Sequence, residues 1–139
     1  MSLIELVVSM GLAILLISSV VIKSNTSYLQ TDQTARILCS DIRYIKTKSI
    51  AGKRKYRIKI TQINNQSVYQ IWGDRGIEKT VKVKEGIKIV SNTNTIRFRP
   101  DATPDKGCTI YISYKNYKKI ITITPISGRV LLKEDIYRE

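Results

Sequence analysis

The chain has 139 residues, 42% of them hydrophobic, and carries 24 Lys and Arg against 11 Asp and Glu, a formal net charge of +13. That length excludes more than one ordinary domain plus an appendage, and the complete lack of His removes the commonest metal ligand and general base. The positive balance favours polyanionic contacts such as nucleic acid, anionic lipid or anionic wall polymers.

Residues 6–22, LVVSMGLAILLISSVVI, contain no charge; Glu5 stands just before them and Lys23 just after. As a helix this run spans about 26 Å, and residues 1–5 extend it to the ~30 Å of a bilayer core. Residues 1–22 are therefore expected to form a hydrophobic transmembrane or filament-core helix segment. No Lys or Arg precedes the run, so it does not read as a cleaved secretory signal. A carboxylate in hydrocarbon costs about 2.5–3.5 kcal/mol on insertion scales, so Glu5 requires a partner.

The helical pattern continues through residues 23–52 and narrows to one face. Ala35, Leu38, Cys39, Ile42, Ile45 and Ser49 recur at helical steps, with Arg36, Asp41, Arg43, Lys46 and Lys48 on the other faces. Gly52 is a natural stop, which predicts one helix over roughly residues 2–51. From Lys53 the period becomes two. RKYRIKI places Tyr56, Ile58 and Ile60 on one side and Arg57 and Lys59 on the other. Turns at NNQS (64–67), GDRG (73–76), NTNT (92–95) and PISG (125–128) separate VYQIW, TVKVK, GIKIVS, IRFR, CTIYISY, KKIITIT and RVLLK. The chain therefore reads as α+β: a long N-terminal helix, half of it amphipathic, packed on an antiparallel sheet that makes up a β-rich head over residues 53–139.

Chemistry-bearing constellations are sparse. There is no G-x-S-x-G, no phosphate loop and no C-x-x-C, so no enzyme, metal or cofactor is expected. Asp101 and Asp105 could contribute oxygens to Ca²⁺, but ordinary turn formation explains both. Cys39 lies on the apolar helix stripe and Cys108 on a strand face. They are compatible with one disulfide in an oxidising compartment, or with two buried thiols.

The stretch SLIELVV (2–8), with Met1 before it and the apolar run after it, resembles the mature N-terminus of type IV pilins and type II secretion pseudopilins. The resemblance implies that a prepilin peptidase removes a leader just before Met1 and that the new amine is N-methylated. It also implies that Glu5 pairs with the terminal amine of a neighbouring subunit during assembly. Met1 and Glu5 are then the assembly residues, and the partners are other pilin or pseudopilin subunits in a helical filament. The protein would be a single-pass protein of the inner (cytoplasmic) membrane before assembly and part of an extracellular or cell-envelope filament afterwards. Many type IV pilins have Pro at the place of Ile22 and Gly at the place of Ile14; this chain has Gly11 instead and no Pro before Pro100. The Pro-linked helix break of major pilins is thus not expected, which favours a pseudopilin or minor pilin.

The second half is similar to the GspH/FimT group of minor pseudopilins and minor pilins, through TIRFRPD (95–101), GCTIYI (107–112) and IITITPISGRV (120–130). The function implied is a structural subunit of a type IV pilus or pseudopilus, serving secretion, motility, adhesion or DNA uptake. Alternatives are a DNA-binding minor pilin for natural transformation and the major subunit of the filament. Some FimT-type proteins bind DNA through a C-terminal G-R-x-R motif. The matching stretch here is Gly128, Arg129, Val130, Leu131, without the second Arg, and with Lys133 two places on. Lys115, Lys118 and Lys119, among Tyr114 and Tyr117, form a basic aromatic turn that completes the candidate nucleic-acid surface.

Overall fold

A computed structural model describes residues 2–136, with the backbone alone for residues 20–27 and 134–136. One helix, α1, runs unbroken from Leu3 to Ile50 over 48 residues, about 72 Å at the usual rise. Its start is a capping box: the Ser2 hydroxyl accepts from the Glu5 N–H, and the Glu5 carboxylate accepts from the Ser2 N–H, both at 3.4 Å. Its end is set by Gly52, whose φ of 89° belongs to the left-handed region, with the Lys53 N–H returning to the Lys48 carbonyl at 3.0 Å.

The head contains eight strands: β1 (Arg57–Ile63), β2 (Gln66–Gly73), β3 (Gly76–Lys82), β4 (Lys88–Ser91), β5 (Thr95–Arg97), β6 (Cys108–Tyr114), β7 (Tyr117–Ile123) and β8 (Val130–Ile136). They form two four-stranded sheets where one antiparallel sheet was expected, in the orders β3-β2-β1-β5 and β4-β6-β7-β8, with antiparallel neighbours throughout. The reason lies between β3 and β4. Val83 and Ile87 are both buried and anchor an exposed turn over residues 84–86, from which the chain enters the second sheet instead of pairing back on β3. β5 then returns to the first sheet beside β1. Ser67 ties the two together: its carbonyl accepts from Val83 N–H at 3.0 Å and its hydroxyl from Ile89 N–H at 3.1 Å.

The hairpin turns follow their residues. Asn64 and Asn65, at φ 51° and 62°, make a two-residue connection between Ile63 and Gln66, the mirror-image turn that suits strand twist. The expected apolar helix stripe is the one that packs: Ala35, Leu38, Cys39, Ile42, Ile45 and Ser49 are all buried. They meet Cys108, Ile110 and Ile112 of β6, Ile121 and Ile123 of β7 and Val130 in one core. Asp41 is buried in the same half, where its carboxylate accepts from the Tyr69 hydroxyl at 2.6 Å and pairs with Lys79 at 3.1 Å. Burial, and then the bond to Asp41, push the Tyr69 phenol well above its ordinary range.

Candidate functional site

The two halves of α1 set up different surfaces. Along the first, Leu3, Leu6, Val8, Leu12, Leu15 and their apolar neighbours are 49–79% exposed, so no part of the head covers them. A helix that is apolar all round is stable only inside lipid or other helices. Among the described residues no helix is long and apolar enough to cross a membrane; described side chains stop at Ser19, and residues 20–22 of the expected span lie outside them. Met1, the expected methylated residue, also lies outside the described residues. Glu5 is exposed, and its carboxylate turns back on its own helix start through the 3.4 Å contact with Ser2 N–H. The signal for this local role is the S-x-x-E spacing of Ser2 and Glu5 in the sequence.

The second half of α1 fixes the height of everything in the head. Tyr28 packs edge-on against Tyr117, with ring centroids 5.5 Å apart. Asp32 pairs with Lys119 at 3.1 Å, and Lys46 donates to the Gly128 carbonyl at 2.9 Å. Strand β7 therefore climbs alongside the helix. The β6–β7 hairpin sits at the base of the head, beside the emerging apolar stalk, and the β7–β8 turn sits at the far end.

This geometry divides the expected nucleic-acid residues. Lys119 is only 5% exposed and faces inward, with its ammonium on Asp32 and 4.9 Å from the Tyr28 ring. It is a clamp between helix and sheet and does not reach an external phosphate. Burial alone would raise the Asp32 carboxyl, but hydrogen bonds from Arg36 and Lys119 outweigh it and hold the group below the usual carboxylate range. Lys118 and Lys133 point to the outer face of the second sheet, where Lys133 stands opposite Ile120 in register. The Lys118 ammonium lies 4.4 Å from the Tyr111 ring centroid. Lys115 occupies the hairpin turn at a left-handed φ of 52°. Arg129 is exposed at the opposite end of β7, about 20 Å away along the strand. The structure thus separates the basic turn from the G-R-V motif.

The G-R-V motif has its own explanation. Gly128 is buried at φ 64°, and a Cβ there would overlap the Ala102 carbonyl. Ala102 belongs to the same segment as the Phe98–Pro104 bridge. The TIRFRPD, GCTIYI and ISGRV segments therefore converge to close the far end of the head, where Lys46 and Arg43 of the helix bind the carbonyls of Gly128 and Val130. Asp101 accepts from both the N–H and the hydroxyl of Thr103, and Asp105 faces Arg99 at 3.4 Å. Both are turn residues, and the described residues hold no group of three or more metal-ligating side chains.

Cys39 and Cys108 are not joined. Each is a buried free thiol, and the Cys108 sulfur meets the hydroxyls of Ser91 and Thr93 at 3.2 and 3.4 Å. The disulfide alternative is replaced by two small core side chains, and burial raises the Cys39 thiol above its ordinary value.

A second basic surface escaped the sequence reading. Arg57, Lys59, Arg97 and Lys106 line a groove of about 660 Å³ on the outer face of the first sheet, with Asn92, Asn94 and Asp105. Arg57 stands directly opposite Arg97, and Arg57 and Lys59 both lie over Trp72 at 5.3 and 4.7 Å. The alternation of Arg57 and Lys59 was legible, but the approach of Arg97 depends on β5 returning to β1.

One long helix, half bare and half packed on antiparallel sheets, defines a pilin-like α+β fold. The chain is similar in structure to the minor pseudopilin EpsH from the type 2 secretion system of Vibrio cholerae, with a TM-score of 0.59, 12% identity, and coverage of 76% of this chain and 97% of that one. At that identity the likeness is one of fold. No protein-family model matches the chain, and no curated protein sequence does.

Proposed function

We propose that the protein is a structural subunit of a type IV pilus or pseudopilus, and a minor one. The observation that carries this reading is the bare apolar half of α1, projecting from a head whose own core is complete without it. Such a surface calls for lipid before assembly and for neighbouring helices after it. The fold likeness to a minor pseudopilin supports the same reading.

Residues 3–22 hold the subunit in the membrane, and Glu5 docks it. Among the described residues the Glu5 carboxylate makes a long contact, 3.4 Å, to its own Ser2 N–H. A neighbour's terminal ammonium offers a shorter, charge-assisted bond in a low-dielectric setting, so exchanging one contact for the other favours assembly. A DNA-receptor role would have to proceed without Lys119, which the helix already holds.

Glu5→Gln tests the mechanism, because Gln preserves size and helix capping while removing the charge. The expected result is at least a roughly tenfold drop in incorporation into filaments, matching the loss of about 1.4 kcal/mol or more of pairing energy. Normal incorporation of the variant would overturn the reading. Mass spectrometry of purified filaments then checks for an N-methylated Met1 and for the low copy number of a minor subunit.

A further inference from the structure

The base of the head exposes Lys84, Lys88 and Lys115, and it faces the end of the helix from which the apolar segment departs. We propose that, before assembly, this base rests on the anionic headgroups of the membrane in which the helix is embedded, with the β6–β7 and β3–β4 turns as its feet. The proposal rests on the membrane reading of residues 3–22 given above.

Height is the first argument. Tyr28 is six residues beyond Ile22, the last residue of the uncharged run, about 9 Å along the helix. Tyr117 packs on Tyr28 and Lys119 on Asp32, so β7 descends toward the stalk at nearly the rate the helix does. The hairpin tip at Lys115 and Asn116 reaches lower still. The headgroup zone adds roughly 5–8 Å to each side of a hydrocarbon core, within reach of an extended lysine.

Chemistry is the second. Lys115 is exposed at the tip, and Lys84 on the neighbouring turn and Lys88 at the start of β4 are exposed beside it. That turn is held beside the hairpin because Gly86, at φ 91°, leaves no space between its backbone and the Tyr114 ring. Tyr111, Tyr117, Lys115 and Lys118 line an open groove of about 470 Å³ together with Val90 and Ser113, large enough for a lipid phosphate. Lys115 and Lys118 lie over the Tyr114 and Tyr111 rings at 5.4 and 4.4 Å. Tyrosines with lysines reaching outward suit the membrane–water boundary, where one end of the side chain is apolar and the other wet. Acids temper the surface: Glu85 is exposed on the same turn, and Asp135 is the strand partner of Lys118.

The test uses the full chain in vesicles of phosphatidylcholine, with or without phosphatidylglycerol. One dye is attached at Asn116→Cys and, in a second preparation, at Ile14→Cys; the native thiols are buried. Spin-labelled headgroups should quench the Asn116 dye in vesicles containing phosphatidylglycerol, and the effect should weaken in high salt. Lys88→Gln and Lys115→Gln should each reduce the contact equilibrium about fivefold. Lys59→Gln and Arg97→Gln remove the same charge from the distant groove and should leave it unchanged. Equal quenching without phosphatidylglycerol, or equal effects of near and distant variants, would overturn the proposal. If an acyl-chain quencher reaches the Ile14 dye while the Asn116 dye stays silent, this inference alone falls; if the Ile14 dye is not reached, the membrane reading falls with it. If Lys115 and Lys88 instead govern retention of a single-stranded oligonucleotide while lipid composition makes no difference, the surface belongs to nucleic acid and the proposal is wrong.

Discussion

The halves of α1 share one backbone and differ in where their apolar side chains find company. In the second half Leu38, Ile42 and Ile45 are 0% exposed within their own chain. In the first, Ile14 and Ile17 are 64% and 65% exposed, and only a second molecule or a lipid can cover them. The same residue type therefore stabilises the subunit in one half and, under the proposed function, the assembly in the other.

That contrast is broken most sharply by one substitution in two places. Ile42→Ala is expected to cost about 2–5 kcal/mol of head stability, read as a shift in the denaturant midpoint of the full chain in detergent micelles. Ile14→Ala is expected to leave that midpoint within about 0.5 kcal/mol while weakening filament incorporation. A comparable loss of head stability from Ile14→Ala would mean that the halves are not separate.

Gly128→Ala comes next, at about 3 kcal/mol, because it combines a left-handed backbone penalty with overlap on the Ala102 carbonyl. The same denaturation assay reads it, and a neutral result would remove the structural explanation of the G-R-V segment. Lys119→Met follows. It leaves Asp32 with Arg36 alone and should cost about 2 kcal/mol, less than the ~3–5 of a fully buried pair because Asp32 keeps that partner and some water. The double variant with Asp32→Asn should recover most of that loss, which a purely steric role for Lys119 would not allow.

The smallest effect concerns pH. Glu78 accepts from the Tyr56 hydroxyl at 2.9 Å and from Tyr44 at 3.1 Å. The bond to Glu78, with burial behind it, raises the Tyr56 phenol to about 12. The folded-state value is above the unfolded value of about 10, so this contribution is complete below pH ~10 and disappears as pH rises toward 12. Glu78→Gln should flatten that part of the stability–pH curve, measured by midpoints across the alkaline range.

Most of the fold was legible because periodicity reports burial directly. Ala35 through Ser49 pack as their spacing implied, Cys108–Tyr114 is a strand with the expected bounds, and Gly52 stops the helix. The candidate site was legible only in part. Lys119 follows Lys118 in a visibly basic turn, yet adjacent strand residues point to opposite faces, and the face that meets α1 depends on which sheet β7 joins.

The sequence by itself determined the charge-free run behind Glu5, the amphipathic continuation of the helix and the alternating strands of a basic head, because each is a local pattern of polarity. Tertiary structure alone decided that the strands split into two sheets, that Cys39 and Cys108 are free thiols within one core and that Lys119 turns inward to Asp32. It also decided that Arg97 joins Arg57 while Lys115 lies at the foot of the head and Arg129 at its far end. Those outcomes depend on contacts between residues distant in the chain, and local polarity carries no information about which distant partner a side chain will meet.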